Sequence, residues 1–263
     1  MADEHRLYGL IGYPIGFVRS PGILNTYLTE HGLPGRMIPF GVKPESLDAA
    51  LTGLRHVENL AGFFVTMPFK ESILPLLDDA SETARIAGAV NIVRRTPDGQ
   101  LFGHQLDGAG FVGAMTAAGI TIAGASAHVA GAGGVSAGIC CALAEAGIGR
   151  IAIANRNRER AETLANRLRS AFPATVFTVT TAAPGAEIDI VVNAISLGLS
   201  ADDPLPVDLS ATRHGIFVGD VVNVPHMTPF LEVAEARGCR TQHGKAMFGP
   251  QIPLALRFYE NGL

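Results

Sequence analysis

The sequence predicts an α/β protein in two domains, the second of them a doubly wound parallel sheet. Three observations carry that prediction. Short apolar runs alternate with helical stretches along almost the whole chain, the pattern of strand–helix crossover units. A glycine turn, Gly131-Ala132-Gly133-Gly134, lies directly between an apolar run and a helical one. Hydrophobic residues make up 48 % of the 263 and charged residues 17 %, enough for packed cores and too apolar for a disordered chain. At about 100–200 residues per domain, the length fits two.

In the first half, Leu7–Ile11 reads as a strand and Pro21–His31 as a helix. Proline suits a first helical turn because its missing N–H would have no partner there. Met37–Val42 is the next strand and Pro44–His56 the next helix. Leu60–Thr66 is a third strand, followed by helices over Pro68–Leu77 and Ser81–Ala87. Val90–Arg94 and Leu101–His104 flank Thr96-Pro97-Asp98-Gly99, a turn signal that makes them an antiparallel hairpin.

The second half alternates more cleanly. Helices are expected over Asp107–Ala118, Gly134–Ala146, Arg158–Phe172 and Pro229–Arg237. Between them lie strands His128–Ala130, Ile151–Ala154, Val176–Val179, Ile188–Asn193, Ile216–Asp220 and Cys239–Gln242. Such alternation implies a parallel sheet covered on both faces, a Rossmann-type fold. A last helix, Met247–Tyr259, is expected to return to the first half. The domains therefore divide near Leu106: residues 1–106 with 246–263 form one, and residues 107–245 the other.

Composition excludes several functions. Acidic residues outnumber basic ones by 24 to 20, a net charge of −4, where a nucleic-acid binder carries a basic footprint. Cys140, Cys141 and Cys239 offer neither a CxxC pair nor a disulfide framework, which points to a reducing compartment. The opening MADEHRLYGL has acids where a secretory signal has a basic end and an apolar run, so the cytoplasm is the expected location. Gly108–Ala144 lacks Asp, Glu, Lys and Arg, but repeated glycines and hydroxyl residues break it. A spanning helix needs about 20 predominantly apolar residues, so no membrane partner is expected. Glycine is the compositional outlier, 31 of 263 or about 12 %, against a usual share of about 7 %. The histidines show no ligand spacing and no metal is expected; His104 reads as a surface residue at a strand end. Monomer and homodimer are both left open.

The glycine turn points to a nucleotide. Gly131 permits the tight turn, and Gly133 lets backbone approach a pyrophosphate at the positive end of the following helix. Ala132, Gly134 and Val135 complete the turn, while Ser136 stands at the third fingerprint position instead of glycine. A tight strand–helix junction without a ligand is the alternative. The next strand ends in Asn155-Arg156-Asn157-Arg158-Glu159-Arg160. An NAD site usually places an acid there for the ribose 2′-hydroxyl. Here there is none at the tip, and arginine forks suit the 2′-phosphate of NADP. The other reading is a charged first turn of a surface helix.

The chemistry points to the first half. Lys70 falls in the first turn of the helix opened by Pro68, where the positive helix end disfavours a second positive charge and suits a lysine that accepts a proton. A solvated surface lysine is the ordinary alternative. Asp107, ahead of a helical run, reads equally as an N-cap.

The strings GYPIGFVRSP, VTMPFK, GAVN, GHQLDGAG, GAGGVSAG, NRNRERA and GKAMFGPQ occur in that order. Together they make a chain that resembles the shikimate dehydrogenase family over essentially its whole length. The resemblance implies reversible NADP-dependent oxidation of a ring hydroxyl on a small cyclic hydroxy acid, 3-dehydroshikimate and NADPH giving shikimate and NADP. Lys70 then matches the catalytic lysine and Asp107 its partner aspartate. Ser20, Thr66, Asn91 and Gln251 match substrate-binding positions, and Val221 and Gly244 lie on the nicotinamide side.

Four substrate positions depart from the family pattern. Phe17-Val18 stands for His-Ser, Phe64 for the asparagine of NVTxPxK, Gln105-Leu106 for Asn-Thr, and Asn223 for tyrosine. Each lost hydrogen bond to a charged ligand removes about 1.5–3 kcal/mol. Two losses weaken shikimate binding by about 3–6 kcal/mol, roughly two to four powers of ten, unless a group such as Arg19 offsets them. Two alternatives follow: a dehydrogenase for a less polar substrate, and a non-catalytic sensor of nucleotide or ring acid. Retention of both Lys70 and Asp107 argues against the sensor.

Overall fold

The computed structural model describes residues 6–16, 18–200 and 202–262; Phe17 lies outside the described residues. The chain divides into two compact units. One runs to Leu106 and takes up the chain again from Ile252; the other is Asp107–Gln251.

The first unit contains β1 (Leu7–Gly12), α1 (Ser20–Glu30), β2 (Arg36–Gly41), α2 (Leu47–Leu54), β3 (Leu60–Val65), β4 (Asp79–Ala80), α3 (Glu82–Ala87), β5 (Ile92–Arg95) and β6 (Leu101–His104). They form one sheet in the order β2-β1-β3-β5-β6-β4. β1 runs parallel to β2 and β3, while β5 is antiparallel to β3 and β6. The hairpin closes at the Thr96–Gly99 turn, where Gly99 takes φ +85° and its N–H reaches the Thr96 carbonyl at 2.9 Å. Ile11, Leu51, Phe63, Val65, Phe69, Ile73 and Val93 make the core of this unit.

Two expected helices change here. Pro44–His56 becomes a 3-10 turn, Pro44–Ser46, followed by α2. Pro68–Leu77 is not an α-helix at all: it is a run of turns and one 3-10 turn, Leu74–Leu76. Pro75 accounts for this, since it removes an interior N–H and its ring clashes with the carbonyl four residues back. β4 is two residues long and left no periodicity to read.

The second unit contains α4 (Asp107–Ala117), β7 (Ser126–Ala130), α5 (Gly134–Glu145), β8 (Arg150–Ala154), α6 (Arg158–Ala171), β9 (Val176–Thr180), β10 (Ile190–Asn193), β11 (Phe217–Asp220), α7 (Pro229–Ala236) and β12 (Arg240–Gln242). The sheet order is β12-β11-β10-β7-β8-β9, with every pairing parallel. Its first strand lies centrally with the two halves on either side, which is the Rossmann order. α8 (Phe248–Asn261) contains the division between the units, at Gln251/Ile252 and not at residue 246. Among the described residues no helix is long and apolar enough to cross a membrane.

The glycine excess has a packing cause in α4. A Cβ on Gly108 would lie 1.9 Å from the Gly138 carbonyl oxygen of α5, and one on Gly110 2.7 Å from the Met247 carbonyl oxygen. Backbone must move to admit either. Gly108→Ala should therefore lower stability by about 1–3 kcal/mol or more and depress Tm by several degrees. Gly53→Ala in α2, with nothing within 4 Å, is the control and should lose nothing. Equal melting of the two variants would contradict this account.

Candidate active site

In the first unit, the residues around Lys70 share one backbone network. Thr66 follows β3 and its N–H donates to the Ile11 carbonyl at 2.9 Å. The Lys70 carbonyl accepts from Val90 N–H at 2.7 Å, and the Asn91 carbonyl from Val65 N–H at 2.7 Å. Asn91 is buried, and its Oδ1 accepts from Leu106 N–H at 2.7 Å. Thr66, Lys70, Asn91 and Leu106 are thus gathered at one end of β3 and β5. Lys70 itself is half-buried and lies in a turn, so the helix end that was to disfavour its charge is not there. Ser20 opens α1, and Val18 precedes it in the loop after β1; both are half-buried. Phe64 is buried, its ring edge-on to Tyr259 at 6.2 Å between centroids, and Leu106 is buried as well. These two departures therefore put apolar volume into the unit's interior.

His104 corrects another expectation. It is mostly buried, with Nδ1 2.6 Å from Ser81 Oγ and its ring 5.3 Å from that of Phe258. Burial pushes its pKa down from 6.5 to about 4. The unfolded chain then takes up a proton before the folded one does. The ring's contribution to stability is complete above about pH 6.5 and is lost as pH falls toward 4, about 3 kcal/mol in all. Urea unfolding at pH 7 and 4.5 should show this loss, and His104→Gln should flatten it; parallel pH profiles would contradict it.

In the second unit, Asp107 is the first residue of α4, buried, and its Oδ1 accepts from Gln251 Nε2 at 3.2 Å. Two predicted site residues 144 positions apart are therefore in contact. The glycine turn lies at the end of β7. Gly131 takes φ +121°, and its N–H donates to the Ala154 carbonyl at 2.7 Å. Ser136, at the third fingerprint position, closes the turn: Gly133 N–H donates to its Oγ at 3.0 Å. Ala132, Gly134 and Val135 lie in the same junction.

The tip of β8 is tied to that turn. Asn157 caps α6, its Oδ1 accepting from Arg160 N–H at 3.0 Å, and Asn155 Nδ2 donates to the Asn157 carbonyl at 2.8 Å. Arg160 Nε reaches the Ala132 carbonyl at 2.9 Å. Arg156 stands exposed beside them. Val221 and Gly244 also meet: a Cβ on Gly244 would lie 2.5 Å from the carbonyl oxygens of Val221 and Val222. Asn223 is half-buried, and its Oδ1 is a buried acceptor with no hydrogen-bond partner.

Sequence reading missed one feature, the buried polar knot of Asn193, Asp220 and Thr228. Asn193 and Asp220 each close an apolar parallel strand, and polar residues at the carboxyl ends of such strands lie where ligands bind. That was the available signal. The three cysteines are free and buried, and burial raises the thiols of Cys140 and Cys141, the second to about 12. Among the described residues there is no group of three side chains able to hold a metal.

A Rossmann-ordered unit with a glycine turn at its first strand–helix junction, and an α/β unit that gathers a lysine with polar side chains, define the class: a two-domain dinucleotide-dependent oxidoreductase. Residues 10–93 match the shikimate dehydrogenase substrate binding domain, and residues 114–199 the shikimate / quinate 5-dehydrogenase domain. A shikimate dehydrogenase (NADP(+)) of Rubrobacter xylanophilus is 41 % identical over 251 residues, 93 % of this chain and 87 % of that protein. The chain belongs to the shikimate dehydrogenase family.

Solved structures agree. The ligand-free 5-ketofructose reductase of a Gluconobacter species has a TM-score of 0.88 at 31 % identity, covering 97 % of this chain and 93 % of that one. Shikimate 5-dehydrogenase from Thermus thermophilus, in complex with NADP(H) and shikimate, has a TM-score of 0.86 at 31 % identity, covering 98 % and 94 %.

Proposed function

We infer that the protein is an NADP-dependent shikimate dehydrogenase, interconverting 3-dehydroshikimate, NADPH and a proton with shikimate and NADP(+). The observation that carries this is the 41 % identity to an NADP(+) shikimate dehydrogenase across nearly the whole chain, both family domains included. The second unit's residues fit the cofactor. The Gly131 turn brings backbone close to a helix start, Arg156 is exposed at a strand tip without an acid, and the unpartnered Asn223 Oδ1 offers an acceptor. No comparison favours the non-catalytic sensor.

Lys70 is the group that takes the hydroxyl proton during oxidation and returns it during reduction. Asp107 is its partner, held by Gln251. Ser20, Thr66, Asn91 and Gln251 bind the substrate's carboxylate and hydroxyls. Gly131, Ala132, Gly133, Gly134 and Val135 take the pyrophosphate, and Asn155, Arg156, Asn157 and Arg160 the ribose phosphate. Val221 and Gly244 face the nicotinamide. When bound, NADP(+) supplies the hydride acceptor. Val18, Phe64 and Leu106 leave the substrate with fewer polar contacts, and Asn223 stands in place of a tyrosine hydroxyl, which raises KM for shikimate. The three buried free cysteines accord with a reducing cytoplasm.

The test is absorbance at 340 nm with NADP(+) and a panel of cyclic hydroxy acids. Shikimate should give NADPH with kcat/KM of about 10⁴ M⁻¹s⁻¹ or more. Turnover of another panel member with shikimate inert would overturn the substrate assignment.

A further inference from the structure

The buried knot at the ends of β10 and β11 has no part in the roles assigned above. Asp220 is fully buried, at 0 % exposure. Its Oδ1 accepts from Asn193 Nδ2 at 2.9 Å and from Val222 N–H at 2.9 Å. Its Oδ2 accepts from Thr228 Oγ1 at 2.8 Å. Thr228 also caps α7 by accepting from Leu231 N–H at 3.3 Å, and Asn193 Nδ2 reaches the Leu197 carbonyl at 3.0 Å. One carboxylate therefore ties together the ends of two parallel strands, the turn Val221–Val222 and the start of a helix.

Three donors on two oxygens is the arrangement that suits an ionised, acceptor-only carboxylate. Burial raises this carboxyl above its ordinary range, and the Val222, Thr228 and Asn193 donors, together with nearby His243, oppose that rise. The ring of His243 is stacked on that of His226 at 3.9 Å.

Position gives the knot its meaning. Ligands in this fold lie outside the carboxyl ends of the strands, one nucleotide to each half of the sheet. The β7–β8 half carries the glycine turn and Arg156, which leaves the β10–β11 ends for the nicotinamide half. Oxidised nicotinamide is a cation and the reduced ring is neutral. A buried anion nearby acts on one form only, and low surrounding polarity strengthens that action.

We propose that Asp220 positions the Val221–Asn223 turn and, through its charge, makes the site prefer the oxidised cofactor over the reduced one. This rests on the NADP reading above. Asp220→Asn separates charge from geometry. The amide oxygen can keep the Asn193 and Val222 donors, and the amide nitrogen can donate to a reversed Thr228 hydroxyl.

The experiment is direct binding: calorimetric titration with NADP(+) and fluorescence titration with NADPH, on wild type and D220N. NADP(+) should bind about tenfold more weakly in D220N, with NADPH changed by less than about twofold. Thr228→Ser, which keeps the donor to Asp220 Oδ2 and removes only a methyl group, should leave the ratio of the two affinities at its wild-type value. Should D220N not fold, Asp220→Ser carries the test, with the same change in the ratio of the two affinities superimposed on a loss in both. Wild-type binding with an unchanged ratio in the Asp220 variant would overturn this proposal alone. A wild-type chain that binds neither form would overturn the cofactor reading, and this proposal with it.

Discussion

Lys70→Ala should lower kcat for shikimate oxidation by about 10²–10⁴-fold, the usual contribution of a positioned proton acceptor. NADP(+) binding should be unchanged, because Lys70 belongs to the unit without the glycine turn. The structure gives the reason to expect a clean loss. The Lys70 carbonyl is bonded to Val90 N–H, so truncating the side chain leaves the backbone anchored. Lys70→Arg should be nearly as inactive. A guanidinium stays protonated at any working pH and accepts nothing. Measured kcat and KM for each substrate, with a binding titration for the cofactor, separate this from misfolding. A kcat within tenfold of wild type in Lys70→Ala would remove the lysine from the chemistry.

The second large effect belongs to Arg156. Arg160 already commits its Nε to the Ala132 carbonyl, and Asn155 and Asn157 are bonded to their neighbours. Arg158 pairs with Glu162 at 3.8 Å, and Arg156 is exposed directly after Asn155 at the β8 tip. Arg156→Ala should weaken NADP(+) binding by roughly ten- to a hundredfold, the loss of one charge-assisted phosphate contact of about 1.5–3 kcal/mol. NAD(+), lacking the 2′-phosphate, should bind the variant and the wild type alike. An equal loss for both cofactors would mean that Arg156 supports the turn and does not read the phosphate.

Much of this fold was legible because alternation is a strong signal. Strands β7 to β11 are visible as largely apolar runs, whereas β12 is Arg-Thr-Gln and shows only through the alternation, and the glycine turn falls where backbone and helix start coincide. The failures have local causes. Pro75 breaks the helix expected from Pro68, so no helix end acts on Lys70; its role rests on the family resemblance and on its gathering with Thr66 and Asn91. His104 looked like a strand end on the surface because nothing near it in sequence announces the Ser81 hydroxyl or the Phe258 ring. The Asp220 knot joins side chains 27 and 8 positions apart, which no short-range pattern reports. The contact between Asp107 and Gln251, 144 positions apart, is likewise beyond any short-range pattern, though each lies in its own motif.

The glycine excess turned out to have two uses. Gly131 takes φ +121° in the turn after β7, where the family resemblance puts the nucleotide, and Gly108 and Gly110 let α4 approach α5 and the Met247 turn. The first bears on chemistry and the second on packing, a distinction composition does not make.

Hydride exchange between NADP(H) and the ring carbon of shikimate is what the whole arrangement serves. Its most direct measurement is mass spectrometry of the product formed from 3-dehydroshikimate and NADPH deuterated at both C4 positions. Shikimate carrying one deuterium, formed by wild type and about 10²–10⁴-fold more slowly by Lys70→Ala, is the result predicted. Unlabelled product, or no consumption of 3-dehydroshikimate by the wild-type protein, would contradict it.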